Sequence, residues 1–344
     1  MLSPYCKQIL EKYNVSIGQV SKLVPTLANK EKYVLHYRDL QLYLDLGLKL
    51  KTTHRALEFN QSPWLAQYID YNTKNRMPSK NAFEKDFFQL MKNSVFGKTV
   101  ENLRKRCDVR LVTDHMKFLK MVFKPTYVGK KEFTEDLVAV HNIKETLVFN
   151  RPAYVGMCIL DLSKTLTYGF HYNYMKKKYG SIVNLGFTDA DSLCCEITTK
   201  DAYADFWADE HKLDNSDYRK ESPFSDSTNK KVIGKFKDEA AGIPIKEFIG
   251  LKSKMYSYIK DNGKNEKTCK GVKKDVIKKN ITHENYRDTL MNGKQMMHKV
   301  NTMRSDYHQL GSYQLNKISL SCFDDKGYIL EDGISSYPYG RKNK

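Results

Sequence analysis

The sequence predicts an α+β fold, and three observations carry that prediction. Apolar residues recur at steps of three and four in residues 37–47, 63–69, 81–97 and 162–178, the spacing of amphipathic helices. β-branched and aromatic residues fill residues 182–197 and 231–260. The first of those runs is broken only by a tight polar turn, so its halves pair as an antiparallel hairpin. A chain of 344 residues is long enough for two or three subdomains around a substantial core.

Taken in order, residues 1–32 are mixed and show no clear period. Residues 37–47 form the first clear helix, with Leu40, Tyr43 and Leu44 on one side, Asp39 near its start and Gly47 near its stop. Residues 48–59 alternate as a strand would, and Ser62-Pro63 opens a second helix through Trp64, Leu65, Tyr68 and Ile69. Asn81 caps a third, with Glu84 three residues on, running to about Gly97. Its Phe83, Phe87, Leu90, Met91 and Ser94 fall on one side, which is expected to be buried. Lys85, Gln89, Lys92 and Phe96 lie on the other, with Asn93 flanking. That basic, amide-bearing and aromatic face suits a triphosphate and a base pair; equally, it is what a solvated amphipathic helix presents.

Residues 104–150 read as a basic insertion of short strands and turns, and 151–160 as a strand. Residues 162–178 read as a helix ending in Lys176-Lys177-Lys178, a cluster suited to a helix C-terminus or to phosphates. Residues 201–229 are acidic and Ser-rich, a surface connection. In residues 248–258 polar and apolar side chains alternate, so the lysines and tyrosines form a strand face able to track a nucleic-acid backbone. Asp261-Asn262-Gly263 signals a turn, after which a lysine-dense helical segment suggests a domain boundary. The tail from residue 307 reads as short strands and turns.

The stretch of densest chemical information is Phe187-Thr188-Asp189-Ala190-Asp191-Ser192, at the tip of the predicted hairpin. In an extended chain residues i and i+2 face the same way, so Asp189 and Asp191 can converge on one hard cation such as Mg²⁺. Asp is also simply common in turns. A calcium loop is excluded, because Leu193, Cys194 and Lys200 stand where it needs an oxygen ligand, a glycine and a glutamate. A glycosyltransferase-type Asp-x-Asp site remains open on this stretch alone. A net charge of +18 with 12% aromatic residues favours a nucleic-acid partner over an acidic or neutral one, although a generally basic protein would share it. Seven scattered cysteines, an odd number without Cys-x-x-Cys spacing, read as reduced thiols. With no signal-peptide pattern and no long apolar run, the expectation is a soluble intracellular protein without a membrane partner.

Three motifs in order, Asn93-Ser94-Val95-Phe96-Gly97, Phe187 to Ser192, and Lys254-Met255-Tyr256, together resemble those of family B DNA polymerases. More narrowly the chain resembles the protein-primed branch of viruses, linear plasmids and transposons, and the phrases around residues 83–102, 160–179 and 333–340 are similar to those of its transposon-type members. The resemblance covers nearly the whole chain. It implies a right-hand polymerase: residues 1–62 palm-associated, 63–100 fingers, 101–260 palm with the insertion and hairpin, and 261–344 thumb and tail. It implies template-directed addition of deoxynucleotides with two Mg²⁺ (or Mn²⁺) ions on Asp189 and Asp191. Lys85, Gln89, Lys92, Asn93 and Phe96 would meet the nucleoside triphosphate. Ser94, Gly97, Lys252, Lys254 and Tyr256 would meet the DNA primer-template, with a terminal protein as the priming partner.

Two departures qualify what the resemblance implies. Gln89 stands where the family has a triphosphate-binding Lys, with Lys85 or Lys92 as neighbouring substitutes, and Ala190 replaces the usual Thr. The chain also begins after the place where the family carries its first metal-binding Asp and its exonuclease domain, so a fragment is expected. Asp39 and Asp45 lie in or near a helix, and Asp161 lies at a strand-to-helix junction where an N-cap is the plain reading; Asp161 alone could end on the side of the hairpin tip. The expectation is therefore a polymerase portion, and the alternative a catalytically inactive DNA-binding remnant. A glycosyltransferase falls behind both, because it leaves the lysine-rich C-terminal segment without a role.

Overall fold

Several helices in this chain start on side-chain caps. Asn81 accepts a 2.8 Å bond from the Glu84 amide, Asp114 caps from Lys117 N, Asp201 from Tyr203 N and Ala204 N, and Thr282 and Asn285 form a reciprocal capping box. The computed structural model describes residues 4–12, 14, 24–306, 309–324, 326–333 and 335–339. In chain order the elements are α1 (Pro4–Lys12), α2 (Tyr37–Asp45), α3 (Ala66–Arg76), α4 (Ala82–Thr99), β1 (Cys107–Val112), α5 (His115–Val122), β2 (Tyr127–Thr134), β3 (Leu137–Ile143) and α6 (Ala153–Gly169). A π turn at Phe170–Met175 leads to α7 (Lys176–Tyr179), β4 (Val183–Asp189), β5 (Ser192–Ile197), α8 (Ala202–Trp207), β6 (Leu213–Asp214) and β7 (Phe236–Lys237). Then come β8 (Ile245–Lys252), β9 (Met255–Lys260), β10 (Asn265–Cys269), α9 (Lys274–Asn280), α10 (His283–Asn292), β11 (Met296–Asp306), β12 (Gln309–Leu320), β13 (Tyr328–Ile329) and β14 (Ser336–Tyr337). The fold is mixed α+β with small, mostly antiparallel sheets.

The chain divides into two compact units. One comprises Met1–Glu31, Leu166–Thr302 and Tyr313–Lys344; the other comprises Lys32–Thr165 and Met303–Ser312.

In the second of these, α3 packs on α4, and the Tyr68 hydroxyl donates to the Met91 carbonyl at 3.1 Å. The helix face expected to be buried is the open one: Phe83, Phe87 and Leu90 are 79%, 46% and 63% exposed, while Phe88, Gln89, Lys92, Val95 and Phe96 are half-buried. The helix carries apolar residues on both sides, so periodicity finds the helix and cannot choose its inward face. Residues 151–160 are helical rather than extended. Gly156 of α6 is where that helix crosses the end of α4, and a Cβ there would lie 2.3 Å from Val100 Cγ1 and 2.5 Å from Thr99 Oγ1. No strand forms in residues 48–59; Leu48 N bonds back to the Tyr43 carbonyl at 2.9 Å, and Phe59 stacks on Tyr154 with ring centres 5.0 Å apart. Residues 104–150 build their own antiparallel sheet, in the order β1-β3-β2, backed by α5 through Val112, Met121 and Val140.

In the other unit, β8, β9 and β10 form an antiparallel sheet whose rear face packs Ile249, Leu251, Met255 and Cys269 against Ile281 and Tyr286, with Leu320 and Cys322 closing the core. Because β10 pairs with β9 across the 261–263 turn, the change in composition there marks no boundary in the fold. Residues 201–229 are more than a surface connection: Leu213, Asp214, Asn215 and Tyr218 are buried, and Asp214 fastens the loop by accepting from Ser216 N and Lys231 N. The tail contains a strand of twelve residues, β12, rather than only short ones. Among the basic residues at the end of α7, Lys176 bonds the Val183 carbonyl and Lys178 pairs with Asp209 at 2.5 Å, which is a structural use of two of the three lysines.

Candidate functional site

Strands β4 and β5 pair antiparallel from Val183↔Ile197 to Asp189↔Ser192, leaving Ala190 and Asp191 as the turn. Asp189 is thus the last residue of a strand, and Asp191 is a turn residue. The alternation that would aim both carboxylates one way holds only along extended chain, so it does not fix their relation here. Asp191 is exposed. Asp189 is half-buried and both of its oxygens are engaged. Oδ1 accepts from the Ala190 amide at 2.9 Å, and Oδ2 pairs with Lys254 Nζ at 3.0 Å. The turn is fastened from below by Thr167 of α6, whose hydroxyl donates to the Ala190 carbonyl at 3.2 Å.

Lys254 reaches Asp189 because it sits in the turn between β8 and β9, with φ +59°, and not along a straight strand. Residues 248–258 are therefore two strands and a turn. The hydrogen bond from Lys254 holds the Asp189 carboxyl below the usual carboxylate range; partial burial works against this and loses. Beside the ion pair stands an aromatic stack. Phe187 lies 4.3 Å from Tyr256 and 5.7 Å from Phe248, and Tyr256 stacks on Tyr258 at 6.4 Å, centre to centre. Tyr256 faces Gly250 across the strand pair, where an added Cβ would come within 3.0 Å of Phe248 Cε1. Burial pushes the Tyr258 phenol up to about 12, so it stays neutral. Lys252 donates to the Phe323 carbonyl at 3.3 Å.

A buried polar chain supports the sheet from behind. The Ser257 hydroxyl donates to the Glu266 carbonyl and meets His283 Nδ1 at 2.8 Å; His283 Nε2 lies 3.4 Å from Glu247, which also takes a two-pronged contact from Arg287. Ser257 is fully buried, so this serine, histidine and carboxylate hold α10 to the sheet and offer no nucleophile to a substrate.

The other predicted residues lie on α4, in the other unit. Asn93 and Ser94 are exposed; Gln89 Nε2 donates to Asn93 Oδ1 at 3.2 Å, and Ser94 Oγ to the Met91 carbonyl at 2.9 Å. Lys85 is exposed, and Lys92 and Phe96 are half-buried. Among the described residues nothing lies within 4 Å of a Cβ added at Gly97, so their packing does not require a glycine there. The residues expected to meet DNA are therefore divided, Ser94 and Gly97 lying in one unit and Lys252, Lys254 and Tyr256 in the other.

Asp161 is not a helix cap. It lies inside α6, buried, where it accepts from the His36 amide at 2.8 Å and pairs with Lys164 at 3.0 Å. Asp39 is buried as well and takes the Thr165 hydroxyl, while Asp45 is exposed. Desolvation raises the Asp39 carboxyl above its ordinary range, outweighing the Thr165 hydrogen bond, and the Asp161 charge adds to the rise.

Among the described residues no three His, Cys, Asp or Glu side chains gather into a metal-holding group, and no helix is long and apolar enough to cross a membrane. As donors, Asp189 and Asp191 are hard oxygens of the kind a divalent ion takes, but the first is already committed to Lys254. Sequence reasoning missed Phe187, Phe248 and Thr167 as supports of the turn. The signal for Phe187 was its place two residues before Asp189, on the same side of the strand. No protein-family model matches the chain, and neither a curated protein nor a solved structure matches it significantly.

Proposed function

We propose that the chain is the fingers, palm and thumb portion of a family B DNA polymerase of the protein-primed type, adding deoxynucleotides to a DNA primer under template direction. The observation that carries the reading is the meeting of two motifs far apart in sequence. Lys254 and Tyr256 close on Asp189 and Phe187, joining the acidic turn to the Lys-x-Tyr segment at the start of β9 by an ion pair and a ring stack. Asp189 and Asp191 would hold Mg²⁺, which when bound neutralises charge on the attacking and leaving oxygens. Lys254 supplies a cation beside that carboxylate for a primer phosphate, and the Tyr256 ring, backed by Phe187, limits where the primer end can lie. On α4, Asn93 and Ser94 present amide and hydroxyl groups to nucleotide and DNA, with Lys85 and Lys92 as the phosphate-binding cations in place of a lysine at Gln89. The excess of basic residues holds the duplex through its backbone.

A second reading keeps the DNA and drops the chemistry. Its support is that Lys254 already occupies one oxygen of Asp189 and that the described residues supply no third carboxylate at the turn. The two readings separate in one assay. Mg²⁺-dependent primer extension, lost in Asp191→Asn, supports the polymerase; binding of primer-template without extension supports the non-catalytic module.

A further inference from the structure

Around the end of α4 the chain gathers three cations on a single carboxylate. Arg106 grips Glu101 with Nε and Nη2 at 2.8–3.1 Å, Arg151 Nε reaches it at 3.2 Å and Lys98 at 3.4 Å. That is two positive charges more than Glu101 can balance. Arg106 foremost, then Arg151 and Lys98, hold the Glu101 carboxyl at about 2, so at neutral pH it is fully ionised and the excess is not an artefact of protonation. Beside this cluster lies an open groove of about 350 Å³, lined by Ser94, Val95, Lys98, Thr99, Arg151 and Pro152. Arg151 spends only its Nε on Glu101. Its terminal nitrogens, the pair that matches a phosphate's two oxygens, have no protein partner among the described residues. Lys98 is 68% exposed, so its ammonium can turn from Glu101 to a ligand at little cost. The groove floor is apolar and hydroxyl-bearing, and Ser94 and Thr99 have already given their protons to Met91 and Phe96 carbonyls.

We infer that this groove holds a backbone phosphate of bound nucleic acid between Arg151 and Lys98, with Glu101 as the counter-ion that keeps both side chains in place when the groove is empty. The inference rests on the nucleic-acid reading above but assigns a contact outside its three motifs. A nucleic-acid strand suits the site better than a small anion because the groove is shallow and open rather than enclosed.

The test is equilibrium binding of the full chain to a fluorescent primer-template across a range of salt concentrations, for wild type, Arg151→Gln and Lys98→Gln. Each variant is expected to weaken binding by roughly tenfold and to lower the slope of log affinity against log salt by about one. Lys98 is exposed enough that its replacement leaves folding intact, which guards the result against a misfolded Arg151 variant. Unchanged affinity and slope in both variants, with wild type binding normally, would overturn the groove and leave the polymerase reading standing. Wild type that binds no DNA would overturn both. If deoxynucleoside triphosphate alone binds with the same dependence on Arg151, the occupant is a free nucleotide, and the backbone-phosphate assignment fails.

Discussion

At the residue scale the electrostatic contact that bears on the acidic turn is Lys254 with Asp189. Both are partly open to water, with side chains 48% and 40% exposed, so the pair contributes little to global stability and acts chiefly on the charge at the turn. Replacing Lys254 with Ala is expected to raise the Asp189 pKa toward the ordinary carboxylate value, as measured by NMR titration of the side-chain carboxyl. An unmoved titration would mean the ion pair does not form in solution. Asp39 behaves in the opposite sense. A carboxyl whose folded pKa lies above its unfolded one binds more protons in the native state, so stability falls as pH rises through that window. Asp39→Asn keeps an oxygen for the Thr165 hydroxyl and removes the buried charge facing Asp161, His36 and Lys164. Chemical denaturation should show equal or greater stability at neutral pH than wild type, and a flatter dependence on pH above 4. A large loss of stability at neutral pH would show that the ionised form is needed.

At the scale of elements, the crossing of α6 over the end of α4 turns on Gly156. An alanine would add helix propensity of about 1 kcal/mol. It would also force its Cβ to 2.3 Å from Val100 and 2.5 Å from Thr99, and relieving such overlap typically costs about 1–3 kcal/mol. The steric effect is the larger, so Gly156→Ala should lower the unfolding midpoint; a raised midpoint would mean that the helices separate freely. The elements also show what could be read from sequence. Asn81 and Glu84 announced α4 because a cap is a local contact between near neighbours. The inward face of α4 was not legible, because Phe83, Phe87 and Leu90 are as apolar as the side that packs, and only the position of α3 decides between them. Residues 151–160 read as a strand, although Pro152 ahead of Ala153 was a helix-start signal. Residues 48–59 have the alternation of a strand but no neighbour to pair with, and pairing is a tertiary property.

For the whole molecule, the hairpin with Asp189 and Asp191 was legible because two β-rich runs around a polar tip permit little else. Its contact with Lys254 was not, since that ion pair spans 65 residues and depends on the turn between β8 and β9. The same holds for the Arg151 and Lys98 groove, which brings together residues on either side of the β1-β3-β2 insertion. Whether these elements serve template-directed synthesis, as proposed, is tested most directly by single-nucleotide incorporation. A primer paired to four templates that differ only in the next base is incubated with Mg²⁺ and each deoxynucleotide in turn. The complementary nucleotide is expected to be added in each case, and Asp191→Asn to reduce the rate roughly 100-fold or more. Primer that is bound but never extended, or extended without regard to the template base, would contradict the proposal.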